Sequence, residues 1–490
     1  MRTIALFTSL LLFAHSITQA QAFSLSSLLE PAGMKGDFRY LRTRVEQTYP
    51  ALYVHQSRER MQWIFDSLEN TLQQPLPFGE FYKKIAFLIA ELRCEHTYCS
   101  TGAGYNQLVK QFAFLPLQLF LAGDKPFVMV NFSADTTIFP GDEIISINGR
   151  SVDSICRELY RYMPSDGFME VSKTYALSSM AFGIAYNMFI EQPRSYTVVV
   201  KNKKGKLLQR QFTDHLSIDE FSNIALKNPA NKVIWDAEKR AKALNSKDWR
   251  LEILQPKTAL LVIRTFSADK HDFKRAMDGY FKTIRENQIE HLIIDLGWNG
   301  GGEEELSAYA MSYLIDTPTR FMDAEYLITD ADSVLASSNV PDEIRKNKYA
   351  YIEPLKNGRS YARISEYARE LEVMQPKPNG YHGKVYVLVN GVTSSAASTF
   401  AAVAQSNNRA VIIGQETAGS FLGGGTVLGL DLTLPYSKIA THTSIVYQEF
   451  STHGRDGNRG VVPDKVYKPT FEDMTGSYEN WKKKLLQMVL

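Results

Sequence analysis

A multidomain α/β protein is what this chain predicts, and three observations carry that expectation. From Gly36 to about Arg93 apolar residues recur at helical spacing. From Phe112 to about Val200 the pattern changes to short strands and turns, and from Thr258 strand-like runs alternate with helical ones. With 490 residues the chain is too long for one core and suggests roughly two to four domains. Hydrophobic content of 44% and charged content of 22% are those of a globular protein. A net charge of +2 gives no reason to expect a nucleic-acid partner or an acidic polymer.

The first 22 residues read as a signal peptide. Arg2 is the positive start, Ile4 to Phe13 the apolar centre, and Ala20-Gln21-Ala22 a small-x-small cleavage site, cut after Ala22 or after Ala20. The run is too short to span a bilayer, no later segment is long and apolar enough to do so, and no Cys follows to take a lipid. The expectation is an exported protein, periplasmic or secreted, without stable membrane insertion. Residues 23–110 then form an N-terminal helical domain. Its stripes are Phe38, Leu41, Val45 and Tyr49, ended by Pro50; Met61, Ile64, Leu68 and Leu72; and Phe81, Ile85, Leu88, Ile89 and Leu92. Leu92 to Thr97 follows, with His96 between Cys94 and Cys99. An oxidising compartment permits one disulfide among the three cysteines, with Cys94–Cys99 as the local pairing; three buried thiols, Cys156 included, are the alternative. No Cys/His spacing suits zinc.

Residues 111–215 are β-rich. Leu115 to Leu121 and Pro126 to Val130 read as strands. Pro140-Gly141-Asp142 makes a turn, Ile144 to Ile147 a strand and Asn148-Gly149 a hairpin turn. Ile155 to Tyr162 is amphipathic and Tyr196 to Val200 another strand. Residues 140–152 resemble a PDZ domain, although the carboxylate-binding loop of such domains is not evident, so the resemblance leaves peptide-tail binding open. Residues 216–255 read as a polar linker with a helix.

Residues 256–490 form the core. Ala259 to Ile263, His291 to Leu296, Val385 to Val389 and Ala410 to Ile413 are strands; His271 to Asn287 and Glu304 to Leu314 are helices. Leu430 to Leu434 and Ile439 to Val446 make a closing hairpin. Strands separated by helices imply a largely parallel sheet, with ligands at the carboxyl ends of its strands. After Val389, Asn390-Gly391 breaks the strand and Thr393-Ser394-Ser395 leads into a helical run. Backbone N–H groups at a helix start are unpaired and favour negative charge. A hydroxyl there suits attack on a carbonyl, with the next N–H holding the oxyanion; Ser394 and Ser395 equally suit plain N-caps. Asp295-Leu296-Gly297-Trp298-Asn299-Gly300-Gly301-Gly302 is a glycine-rich turn between strand and helix. It lacks the Lys-Ser/Thr of a P-loop and suits an oxyanion donor better.

Taken together, Asp295 to Gly302, Asn390 to Ser406, Gly414 to Ser420 and Gly460 to Asp464 resemble the core motifs of the C-terminal processing (tail-specific) serine peptidases. The resemblance implies a ClpP/crotonase-like αβ-spiral catalytic core with an N-terminal helical domain and an inserted PDZ-like β domain. Phe400 and Gln405 register the family nucleophile on Ser395, with Ser394 one step away. Where the processing peptidases proper carry a lysine base, this chain has Ser420. That departure points to the branch resembling tricorn protease and interphotoreceptor retinoid-binding protein, in which a histidine from the N-terminal part is the base. His96 matches that context. An acid should orient the imidazole. The resemblance puts it near Gly457, making Asp456 one candidate, and Glu95 beside His96 is the other. The oxyanion donors would be the N–H of Ala396 with that of Gly301 or Gly302, and His453 is the fallback base.

The resulting expectation is an exported serine endopeptidase acting on polypeptides through an acyl-enzyme, with no metal or cofactor. The alternatives are a non-catalytic binding protein on the same scaffold, for an apolar ligand or a peptide tail, and an acyl-transferring crotonase-type enzyme.

Overall fold

The computed structural model describes residues 24–213, 218–244 and 248–490. The signal peptide expected at 1–22 lies outside them. Helices α1 (Pro31–Thr48), α2 (Arg58–Asn70) and α3 (Phe78–Glu91) carry the three N-terminal stripes. α1 begins at Pro31, ahead of the expected Gly36, because proline fits a first helical turn, where its missing N–H has no partner to lose. Ser57 caps α2 by accepting the Arg60 N–H. Phe38, Leu41, Met61, Phe65, Phe81 and Ile85 are buried together. The same cluster holds Leu434, Ile439 and Ile445, so the N-terminal helices share their core with the hairpin near the other end of the chain.

A second tie is covalently remote. Strand β1 (Tyr98–Ser100), just after α3, pairs antiparallel with Ala440–Ser444, which itself pairs with Gly429–Thr433. The turn at residues 92–97 is therefore fixed at both ends, by α3 and by this three-stranded sheet.

The middle of the chain is an antiparallel sheet of β2 (Leu117–Phe120), β3 (Phe127–Asn131), β4 (Glu143–Ile147), β5 (Tyr196–Lys201) and β6 (Leu207–Phe212), in that spatial order. Asn148 and Gly149 both take positive φ, 49° and 77°, as a tight hairpin turn requires. Helix α4 (Val152–Leu159) covers one face through Ile155 and Leu159. Helix α5 (Val171–Leu177) leads on from a turn at Ser165–Gly167.

The stretch read as a linker is more ordered than its polar composition suggests. It holds helices at Ile218–Lys227 and Lys232–Leu244, and its last part is strand β7 (Trp249–Gln255). β7 pairs antiparallel with β8 (Thr258–Ile263) and so opens the central sheet. Its partly exposed edge position explains why it lacks the apolar run that marks the buried strands.

The central sheet continues β8, β9 (His291–Asp295), β10 (Lys384–Val389), β11 (Val411–Gly414) and β12 (Lys465–Val466), all parallel from β8 onward. Every residue of β8 is buried, as expected of a strand covered on both faces. Helices α6 (Lys270–Glu286), α7 (Glu304–Met311) and α8 (Ala396–Ser406) pack on it through Phe273, Met277, Leu306 and Phe400. No helix among the described residues is long and apolar enough to cross a membrane.

Candidate active site

β9 and β10 are adjacent and parallel, with Asp295 opposite Leu388, so the turns that leave their carboxyl ends lie side by side. One is the glycine-rich turn 296–303 and the other is 390–395. Four bonds join them: Ser394 N–H donates to Asn299 O at 3.2 Å, Ser394 Oγ to Gly300 O at 3.1 Å, Thr393 Oγ1 to Leu296 O at 3.0 Å, and Trp298 N–H to Asn390 Oδ1 at 3.4 Å. The Ser394 hydroxyl is engaged with the neighbouring turn. Ser395 differs. It is the N-cap of α8 with φ 49° and ψ −133°, a backbone region that a residue with a Cβ enters only at a cost of about 1–3 kcal/mol. Its carbonyl is secured inside the helix by Thr399 N–H at 3.0 Å.

Gly301 explains how closely the two turns approach. A Cβ there would lie 2.6 Å from Ser395 Cβ, 2.8 Å from Ser394 O and 3.1 Å from Ala396 N. Gly419 closes the other side: its Cβ would lie 3.3 Å from Ser395 N and overlap Ser398 Oγ. Of the expected oxyanion donors, the Gly301 N–H is already spent on Asn299 Oδ1, at 2.8 Å, so Gly301 serves by lacking a side chain rather than by donating. Ala396 opens α8, where an N–H has no carbonyl one turn earlier to meet. Gly302, at φ 134°, is tight against the Phe266 backbone and is the remaining glycine of that pair.

The turn at 92–97 reaches this place from the N-terminal helices. Arg93, at φ 57°, reverses the chain after α3. The Glu95 carboxyl lies against the backbone N–H of Ser395, which partly offsets the burial that pushes it up to about 7. His96 Nε2 is 3.6 Å from Glu95 Oε1. Burial lowers the imidazole below its ordinary value; Asp166 opposes that shift and His442 adds to it. The structure thus sets Ala396 and Gly301 against Ser395, brings Glu95 to the Ser395 backbone and places His96 beside Glu95.

Asp456 does not join them. It is exposed, its Oδ1 accepts the Asn458 N–H at 2.9 Å within its own turn, and its charge acts on His55 and Arg459. The expectation that a one-residue loop difference would turn it to His96 is corrected: of the two candidate acids it is Glu95 that lies beside His96, and the charge of Asp166 also acts on the imidazole. His453 is displaced too. Its Nδ1 is 3.1 Å from Ser406 Oγ, at the opposite end of α8 from Ser395. Ser420, at the place of the family lysine, gives its Oγ to Gly457 O at 3.0 Å and its N–H to Asp166 Oδ2 at 3.2 Å. All three cysteines are free thiols, and burial pushes each up to about 12.

Residues 257–466 match Peptidase family S41. The chain carries a serine-type peptidase domain of that family. The domain holds both turns and α8, while Glu95 and His96 lie outside it. Among solved structures, that of mature CPAF is 17% identical, with a TM-score of 0.60 over 94% of this chain and 97% of its own. The structure of mature CPAF complexed with lactacystin is likewise 17% identical, with a TM-score of 0.60 over 94% and 98%. At that identity the likeness is one of fold. No curated protein matches the chain.

A second group of acids lies behind α8. Glu304 Oε1 is 3.1 Å from Thr399 Oγ1, and Glu304 Oε2 is buried with no hydrogen-bond partner. Burial, then Glu370, holds Glu304 well above the carboxylate range. Glu325, bonded by Gln448 at 2.8 Å, is pushed up to about 7 by burial. Glu370 is pushed up to about 8 by burial and then by Glu325.

Two outcomes follow from this geometry. Gly301→Ala should lower fluorophosphonate labelling of the serine by at least about tenfold, since the new methyl occupies the space beside Ser395 and Ala396 N–H; labelling at the wild-type rate would remove Gly301 from the site. The acids behind α8 have native pKa values raised above their unfolded ones. Their stabilisation is therefore complete below the ordinary carboxylate range and is lost as pH rises through about 7 to 8. The Tm should fall between about pH 5 and about pH 9, and Glu370→Gln should flatten that fall; a slope unchanged by the substitution would contradict the assignment.

Proposed function

We propose that the protein is an exported serine endopeptidase that hydrolyses polypeptides through an acyl-enzyme on Ser395, with His96 as general base. One observation carries this reading: the strained Ser395 backbone, walled by Gly301 and Gly419, meets a Glu95–His96 turn delivered from the N-terminal helices. In the proposed cycle His96 takes the Ser395 Oγ proton as that oxygen bonds the peptide carbonyl carbon. The carbonyl oxygen becomes an oxyanion facing the N–H of Ala396, with Gly302 as second donor. Collapse breaks the C–N bond, and His96 returns the proton to the leaving amine. A water then attacks the ester by the same route and frees Ser395.

The lowered proton affinity of His96 supports the role, because a base must be neutral before it accepts a proton. The lysine alternative has no support, since Ser420 is bound to Gly457 and Asp166. The signal-like N-terminus supports export. The antiparallel sheet β2–β6, with its Asn148-Gly149 hairpin and covering α4, supports a PDZ-like insert that shapes access to the cleft.

The test is labelling by a fluorophosphonate probe and cleavage of unfolded casein by the chain lacking residues 1–22. Wild type should label and cleave, and Ser395→Ala and His96→Ala should each lose both by at least about a thousandfold. A wild type that does neither, with Ser395→Ala indistinguishable from it, would replace this reading with that of a binding protein.

A further inference from the structure

Asp166 belongs to neither the family domain nor the N-terminal helices. It sits between α4 and α5, in the turn Ser165–Gly167, and is only 4% exposed. Both its oxygens are committed to the site described above. Oδ1 accepts the Glu95 N–H at 2.8 Å and Oδ2 accepts the Ser420 N–H at 3.2 Å. A buried carboxylate between two backbone donors from segments more than 300 residues apart (Glu95 and Ser420) acts as a clamp.

The turn that carries it is itself held. Gly167 N–H donates to Arg93 O at 3.3 Å and Phe168 N–H to Asn458 O at 3.0 Å. Gly167, at φ 53°, would place a Cβ 2.4 Å from Asn458 O, so no side chain is accommodated there. The Arg93 guanidinium lies 4.4 Å from the Phe168 ring centroid. Three loops thus converge on the Asp166 turn: 93–96, 420 and 456–458.

The ionisable groups around Asp166 are Glu95, His96, Cys94, Tyr49 and Tyr447. Cys94 and the two tyrosines are kept neutral by burial, which leaves Glu95 and His96 to interact with it as charges. Facing His96 from its own side are Glu95, Asp166 and His442. Asp166 is pushed up to about 7 by burial and by Glu95, so it and Glu95 both take up protons near neutrality.

We infer that Asp166 is a positioning residue of this site, fixing the Glu95–His96 turn against the Ser420 loop and providing the negative charge toward which the His96 imidazolium forms. This rests on the Ser395–His96 reading for its catalytic consequence. It gives the site an acid from the inserted segment in place of the tail acid, which Asp456 does not supply.

The experiment compares wild type with Asp166→Asn and Asp166→Glu in the full mature chain. It reads kcat and KM on a casein-derived peptide, the thermal midpoint, and the His96 imidazole titration by NMR. Asp166→Asn should lower kcat by at least about tenfold with KM within about twofold. His96 should titrate at lower pH, because the anion that raises its proton affinity is gone. Asp166→Glu, which keeps the charge, should return the titration toward the wild-type position. Wild-type kcat and an unmoved His96 titration in a folded Asp166→Asn would overturn the inference. Should Asp166→Asn not fold, an Asp166→Glu chain whose His96 titration has left the wild-type position would overturn it instead. The titration needs no turnover. An inactive wild type therefore defeats the peptidase reading while still reporting on Asp166, and an active wild type with an indifferent Asp166→Asn defeats this inference alone.

Discussion

Parallel pairing of β9 with β10 is the constraint on which the site depends. It sets Asp295 opposite Leu388, so that two irregular turns must leave the sheet within one strand spacing of each other. They fit only because Gly301 has no side chain and Ser395 accepts φ 49°. Asn299 locks the arrangement from inside: its Oδ1 takes Gly301 N–H and its Nδ2 donates to Ile263 O on β8 at 3.1 Å. The strain at Ser395 is thus borne by a sheet whose central strands β8 to β10 are largely buried. Rigid support of this kind lets a serine keep an unfavourable backbone without relaxing into an ordinary cap.

Charge burial is the second theme. Around Ser395 the described structure holds Glu95 and Asp166, and behind α8 it holds Glu304, Glu325 and Glu370, all with proton affinities raised by desolvation. None of these five gains a salt bridge to Lys or Arg among the described residues; their partners are backbone N–H groups, Gln448, Thr399 and His96. Burying carboxyls without cations opposes folding above neutral pH. Near Ser395 burial lowers the proton affinity of the His96 imidazole, and the charge of Asp166 opposes that shift. The two groups are therefore physically alike, yet only one borders Ser395.

Local features were legible in the sequence. The helical stripes of α1 to α3, the buried runs of β8 to β11 and the hairpin at Gly429–Ser444 announced themselves because burial imposes periodicity on neighbouring residues. Ser395 and the glycine turn were legible for a related reason, since strand-turn-helix junctions have their own residue chemistry. What could not be read were long-range choices. β7 hid in a polar stretch because an edge strand needs little apolar sequence. Asp456 looked suitable by spacing along the chain, but its loop turns outward and its carboxylate closes its own turn. Asp166 carried no sequence signal beyond an Asp-Gly turn, because its importance lies in meeting Glu95 and Ser420 in space. Of the two glycine N–H groups offered as alternative donors, that of Gly301 is taken by a side chain two residues away.

The site is consequently larger than the region by which the chain is recognised. Residues 257–466 hold Ser395, Ala396 and the glycine turn, but His96, Glu95 and Asp166 come from segments before it. Those segments are not loosely appended. β1 is stitched to Ala440–Ser444 within the family region, and α1 to α3 share a core with Leu434, Ile439 and Ile445. Asp37 on α1 accepts the N–H groups of Tyr436 and Ser437 at 2.8 and 2.7 Å, tying the first helix to the tip of the same hairpin. The hairpin therefore does mechanical work for the chemistry: it anchors both flanks of the turn that carries His96. The turn that carries His96 is thus placed by the packing of the hairpin against the N-terminal helices rather than by any contact within the central sheet itself.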